Sequence, residues 1–167
     1  EIRYTYFKRY SETGGKTEHK DLGTTHTAAE IADFGSVCDW NSDMCGVDMS
    51  RDGAQEYYNS IIKMYAEWGV DFIKVDDIAR PYHKSEIEGV QNAIQASGRD
   101  IILSLSPGEA PLKEAKHLNE YAHMWRMTDD FGTVGNSLKR CLTIAVIGFR
   151  MCVTAVIPTA ICCRSAE

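Results

Sequence analysis

Two short runs place carboxylates beside a cation in a way that suits nucleophilic or acid–base chemistry. In Lys74-Val75-Asp76-Asp77 the lysine and the first aspartate stand two apart, so along a strand both project to one side. That placement suits the ammonium to a role beside the carboxylate or in binding a substrate hydroxyl. Trp125-Arg126-Met127-Thr128-Asp129-Asp130 repeats the theme with an aromatic, a cation and an acidic pair. Each run also has a purely structural reading: an acidic pair capping the next turn in the first, a surface ion pair at a strand end in the second. Two carboxylates from different strands suit glycoside hydrolysis, in which one attacks the anomeric carbon and the other protonates the leaving oxygen. Retaining enzymes hold the pair about 5–5.5 Å apart and inverting enzymes about 6.5–9.5 Å apart.

Other chemistries are less well served. Asp76, Asp77, Asp129 and Asp130 together offer oxygen ligands for Mg²⁺, but no His or Glu joins them at a strand end, and neither metal nor cofactor is expected. The six cysteines (Cys38, Cys45, Cys141, Cys152, Cys162 and Cys163) contain no C-x-x-C pair, which argues against a thiolate metal site or a thioredoxin-like centre. Trp40 has the ring to stack on a sugar, and equally the bulk to plug a core. His83 and His123 flank strand ends and are assigned no role.

The elements that position these residues alternate between strand and helix, the pattern of βαβ units on a parallel sheet. From Ala54, the residues Ala54, Tyr57, Tyr58, Ile61, Tyr65 and Trp68 recur at helical spacing between Asp52-Gly53 and Gly69. Residues 70–75 (VDFIKV) then read as a strand buried on both faces apart from its ends, with Asp76 and Asp77 at its carboxyl end. Ser85 and Glu88 form a capping-box pattern, Ile87, Val90 and Ile94 keep a stripe, and Gly98 suits a C′ position, so a second helix is predicted over 86–97. Residues 101–105 (IILSL) form the next strand. Pro111 at a first helical position opens a third helix through Leu112, Ala115 and Leu118, and 123–128 (HMWRMT) form the strand that follows. Ile2, Tyr4 and Tyr6 alternate as a strand would.

Three successive strands thus end on polar or acidic residues, where β/α barrels place their chemistry. The fold class is therefore α/β, as part of a (β/α)8 TIM barrel. A whole barrel takes about 250 residues and at least about 200, so 167 residues are expected to hold an incomplete one. The division expected is a partial barrel over 1–135 and a divergent, apolar, Cys-rich tail over 136–167.

The segments HTAAEIAD, DWNSDMCGVDMS, GAQEYYNSIIKMYAEWGVDFIKVDDIARPYHKSEIEGV, SGRDIILSLSPG and HMWRMTDDF resemble bacterial α-galactosidase-type enzymes of glycoside hydrolase family 27, over residues 26–131. The resemblance implies a retaining glycosidase acting on terminal α-galactose or a close relative. It implies that Asp76 is the nucleophile, that Lys74 contacts sugar hydroxyls, and that the acid/base lies four residues after Arg126, at Asp130. Arg126 would bind a hydroxyl of the same sugar, and Ser106 would read its second position. Cys38 resembles a loop cysteine near the sugar whose usual partner position is Ile78 here. After Phe131 the family continues with a segment resembling WDNW, where this chain reads GTVG, and the first 25 residues match poorly. A different class of reading follows from those departures: a non-catalytic or carbohydrate-binding remnant whose open sheet exposes edges and apolar faces.

Composition narrows the partners. The formal charge is −6, the pI is near 5.4, and no Lys/Arg run is long enough to neutralise successive phosphates, so nucleic acid is not an expected partner. A glycoside is. Residues 141–163 are apolar apart from Arg150, but a charge near the centre of a span costs roughly 2.5–3.5 kcal/mol and Pro158 interrupts the run, so a membrane partner is not expected. No basic and apolar leader opens the chain; a removed signal or a missing start is expected, and only the family resemblance suggests a secreted or periplasmic location. Oligomeric state is left open by these patterns.

Overall fold

The computed structural model describes residues 28–39, 41–78, 80–106, 109–126, 156–157 and 161–163. They fall into two compact units, one formed by Ile2–Asp71 with Glu88–Ile101 and the other by Phe72–Ile87 with Ile102–Glu167.

The first unit opens with a single helical turn, α1 (Ala28–Ile31), followed by an antiparallel hairpin of β1 (Ala32–Cys38) and β2 (Asn41–Val47). The pairing Cys38↔Asn41 makes the connection a two-residue turn, and the register slips between Asp33 and Val37. Asp33 Oδ1 accepts the Gly35 N–H at 2.9 Å inside that irregular stretch. Ala32 and Cys45 are buried together with Ala28 against them. Sequence periodicity gave no hint of this hairpin, because Asp33, Gly35, Ser36 and Asp43 break any alternation.

Helix α2 (Ala54–Glu67) starts at Gly53, which sits in left-handed backbone at φ 92°, and ends as the glycine pattern predicts. Gly69 adopts φ 76°, the Gly69 N–H donates to Ala66 C=O, and the Val70 N–H donates to Tyr65 C=O, both at 3.0 Å. These are the two bonds of a Schellman motif. The buried face is Ala54, Tyr57, Tyr58 and Ile62. The expected stripe through Ile61 and Trp68 is therefore rotated: Ile62 is fully buried and Trp68 is 67% exposed. The i, i+4, i+8 row set by Ala54 and Tyr58 decides the inward side.

Helix α3 (Lys84–Ser97) begins two residues before the expected start. The Ser85 hydroxyl bonds Glu86 Oε2 at 2.8 Å from within the helix, so the capping box with Glu88 gives way to a different first turn. The stripe of Ile87, Val90 and Ile94 is buried as expected, and Gly98 takes φ 70° past the end. Within the first unit the Gly89 carbonyl accepts Gln55 Nε2 at 2.9 Å, and a Cβ at Gly89 would stand 2.5 Å from the Met49 Cε and 3.1 Å from the Tyr58 ring, so this helix position takes glycine for space.

The second unit is built on a sheet ordered β3-β4-β5-β7-β6, with β3 (Phe72–Val75), β4 (Ile102–Leu105), β5 (Met124–Arg126), β6 (Val156–Ile157) and β7 (Ile161–Cys163). The first three pair in parallel. β7 then runs antiparallel to β5, and β6 antiparallel to β7. β3 is buried on one face only: Ile73 and Val75 are inside, while Phe72 and Lys74 are exposed. This corrects the expectation of a strand buried on both faces. Phe72 and Ile102 are register partners, 51% and 40% exposed, and mark the open face of the sheet.

The helix expected from Pro111 starts later. Pro111 is extended at φ −63°, ψ 124°, a single 3₁₀ turn covers Leu112–Glu114, and α4 covers Ala115–Tyr121. The proline fixes the entry to the turn rather than the first helical residue. β5 occupies the middle of the strand expected over 123–128, whose last two residues lie outside the described residues. So do the alternation at Ile2, Tyr4 and Tyr6 and most of 141–163. Among the described residues no helix is long and apolar enough to cross a membrane.

Candidate active site

The parallel register builds the site. Val75 is level with Leu105, and Leu105 with Trp125. One residue further on, Asp76, Ser106 and Arg126 form the next row at the carboxyl ends of β3, β4 and β5. The Ser106 N–H donates to Val75 C=O at 2.7 Å, carrying the ladder one bond past the strands. On the far side, the Ala110 N–H donates to Arg126 C=O at 2.9 Å and ties the loop after β4 to the end of β5. Three of the residues singled out from sequence are thus brought into one row. Lys74, with Ser104 and Met124, lies two residues below it.

Asp76 and Ser106 are buried, at 6% and 5% exposure, and Arg126 is half-buried. Asp76 Oδ1 accepts the Asp77 N–H at 3.2 Å, and Asp77 adopts left-handed backbone at φ 56°. A non-glycine residue in that region directly after a buried carboxylate is the kind of local strain that collects at functional sites. Lys74 is exposed while Asp76 is buried, so the two differ in solvation although they stand two apart.

Cys38 belongs to the other unit, as the last residue of β1 rather than a loop residue, and is a buried thiol like Cys45. Ile78, at the position where the resemblance puts its partner, is buried at 2% exposure. Asp130, with Asp129 and Trp40, lies outside the described residues. Among the described residues no group of three His, Cys, Asp or Glu stands close enough to hold a metal ion.

Sequence reasoning passed over several residues that tie the strands and their loops together. The Leu103 N–H donates to His123 Nδ1 at 3.0 Å and the His123 N–H donates to Leu103 C=O at 3.0 Å, so the His123 ring replaces a backbone acceptor just before β5. Tyr82 Oη and His117 Nδ1 share a hydrogen bond of 2.6 Å. His83 Nδ1 is 3.2 Å from Glu86 Oε1. Burial raises the Glu86 carboxyl, but hydrogen bonds from His83, Ser85 and its own backbone more than reverse this and leave it below the ordinary value. In the other unit, Asp48 is held below the ordinary carboxylate value by hydrogen bonds from the Ser50 hydroxyl, the Arg51 guanidinium and the Ser50 N–H. Tertiary pairs such as Tyr82–His117 leave no mark in local spacing. Asp48 with Ser50 and Arg51, two and three residues on, did carry a local signal.

Similarity to known proteins agrees with this arrangement. The family model described as Alpha galactosidase A matches residues 19–160, beyond the motif-bearing stretch on both sides. The chain is 42% identical to a GH27 β-L-arabinopyranosidase from Geobacillus stearothermophilus solved in complex with arabinose, with a TM-score of 0.81 over 90% of this chain and 35% of that one. The wild-type form of that enzyme gives 40% identity and a TM-score of 0.81 over 95% of this chain and 35% of that one. Alpha-galactosidase 3 from Hypocrea jecorina is 32% identical over 82 residues, 42% of this chain and 13% of that protein. The chain therefore spans about a third of the solved relative and less of the curated one. The match over residues 19–160, on a sheet whose parallel strands end in Asp76, Ser106 and Arg126, shows that the chain belongs to the alpha galactosidase A family, glycoside hydrolase family 27.

Proposed function

We propose that this chain carries the nucleophile end of a retaining glycosidase acting on terminal α-galactose or a close relative. The observation that supports it is the row at the strand ends, in which a buried carboxylate, Asp76, stands level with a hydroxyl and a guanidinium. In the first step the Asp76 carboxylate attacks the anomeric carbon while Asp130 gives its proton to the glycosidic oxygen, which leaves as an alcohol. In the second, Asp130 takes a proton from water, the oxygen attacks the same carbon, and Asp76 is released as a carboxylate. Lys74 and Arg126 bind sugar hydroxyls and Ser106 contacts the second position; Cys38 and Trp40 are further substrate-binding candidates on the family resemblance alone. The domain division proposed with this reading is a partial catalytic barrel over 1–135 and a divergent, apolar, Cys-rich tail over 136–167, whose residues 161–163 pair with β5.

The relatives name two sugars. A β-L-arabinopyranoside has the ring configuration of an α-galactoside and lacks only the exocyclic hydroxymethyl group. Nitrophenyl glycosides of both sugars therefore test the reading side by side. Turnover of either, abolished in Asp76→Asn, supports it; turnover retained in that variant removes Asp76 from the role.

A non-catalytic, carbohydrate-binding reading has one observation of its own. β7 runs antiparallel against β5, where a β/α barrel places its next parallel strand. Sugar binding measured by calorimetry without hydrolysis would favour it.

A further inference from the structure

We propose that His117 is a positioning residue that acts through Tyr82 on the loop following Asp76. The effect on catalysis rests on the glycosidase reading above; the mechanical claim does not.

The loop leaves β3 through Asp77, whose backbone is left-handed, and is closed on itself by the His83 N–H donating to Ile78 C=O at 3.1 Å and the Lys84 N–H donating to Tyr82 C=O at 3.1 Å. Ile78 anchors its start in the core at 2% exposure. Its far end carries Tyr82, and the Tyr82–His117 hydrogen bond of 2.6 Å reaches across 35 residues to α4. The His117 ring is boxed: Tyr82 meets it edge-on at 5.7 Å, Tyr121 stacks on it at 4.6 Å, and the residue is 8% exposed. A buried imidazole held on two sides by rings has little freedom to follow a moving partner.

The same helix feeds the other end of the site. α4 runs into His123, which is bonded through both backbone and ring to Leu103, and then into β5 and Arg126. His117 thus refers the segment after Asp76 to the element that delivers Arg126. Misplacing a reacting group by about 1 Å costs up to roughly 100-fold in rate.

The two ring nitrogens separate this role from simple packing. Asparagine places a polar atom where Nδ1 stands and glutamine places it where Nε2 stands, so His117→Asn keeps the bond to Tyr82 and His117→Gln does not. In the full chain, His117→Gln and Tyr82→Phe are expected to speed amide hydrogen exchange over residues 77–83 while leaving 102–105 protected. They are expected to lower kcat about 10- to 100-fold with KM within about threefold of wild type. His117→Asn should match wild type in both readouts, and the double variant Tyr82→Phe/His117→Gln should be no worse than either single one. Loop exchange unchanged in His117→Gln and Tyr82→Phe, or damage in His117→Asn equal to that in His117→Gln, would overturn the proposal. If the wild-type chain hydrolyses neither nitrophenyl sugar, the glycosidase reading fails, and the exchange contrast alone decides the role of His117.

Discussion

The Ser106 N–H donates to the Val75 carbonyl at 2.7 Å, and this bond levels Asp76 with Ser106 at the rim of the sheet. A parallel ladder has one register, so once Val75 and Leu105 are paired, the residues that follow them must emerge side by side. The same logic adds Arg126 through the pairing of Leu105 with Trp125. The site is a consequence of register before it is a consequence of any side-chain contact.

His123 tests that register. Its Nδ1 accepts the N–H of Leu103, a residue of zero exposure. Replacement by leucine strands a buried donor and should lower stability by about 1–3 kcal/mol. Asparagine, which offers an oxygen near the Nδ1 position, should recover most of the loss. Urea unfolding of the two variants measures the difference.

Arg99 governs the entry to β3. Its Nε donates to Val70 C=O at 3.0 Å, and its Nη2 donates to Gly69 C=O at 3.1 Å and to Asp71 Oδ1 at 2.6 Å. The ion pair with Asp71 is largely solvated, with side-chain exposures of 38% and 77%, so the carbonyl bonds matter more than the charge. Arg99→Ala should cost about 1 kcal/mol and Asp71→Ala less than about 0.5 kcal/mol, again by urea unfolding.

Glu86 makes stability depend on pH in the acid range. Its folded carboxyl is held below the ordinary 4.5, so its contribution is fully present above that value and fades as pH falls through the lowered folded value. The unfolded chain binds the proton first, which is why acid removes the stabilisation. A plot of unfolding free energy against pH should fall more steeply below about pH 4.5 for wild type than for Glu86→Gln. Equal slopes would assign the acid sensitivity to other carboxylates.

The strands and helices around the site were legible because their signals are local. VDFIKV and IILSL are short apolar runs, and Gly69 and Gly98 stop the helices before them by adopting the positive φ that glycine allows. Asp76 was found because it sits at the end of such a run and Arg126 because it stands beside an aromatic and an acidic pair, whereas Ser106 came from the family resemblance. What escaped were features fixed by partners distant in sequence or by competing local bonds. The hairpin of β1 and β2 holds its irregular register with Asp33 and Gly35 in the bulged stretch, where no alternation survives. Ser85 looked like a cap until its hydroxyl found Glu86, and Pro111 looked like a helical residue although its ψ of 124° is extended. The buried faces of β3 were overcounted because Phe72, apolar and exposed, reads in sequence like an interior residue.

In the proposed mechanism Asp76 forms a covalent bond to the sugar. The most direct measurement is mass spectrometry of the full chain after incubation with a 2-deoxy-2-fluoro galactosyl or arabinosyl fluoride, which slows release of a covalent intermediate relative to its formation. A mass increase of one fluoro-sugar is expected on the peptide that contains Asp76, absent in Asp76→Asn. A chain that turns over either nitrophenyl sugar yet carries no label, or carries it on another residue, would contradict it.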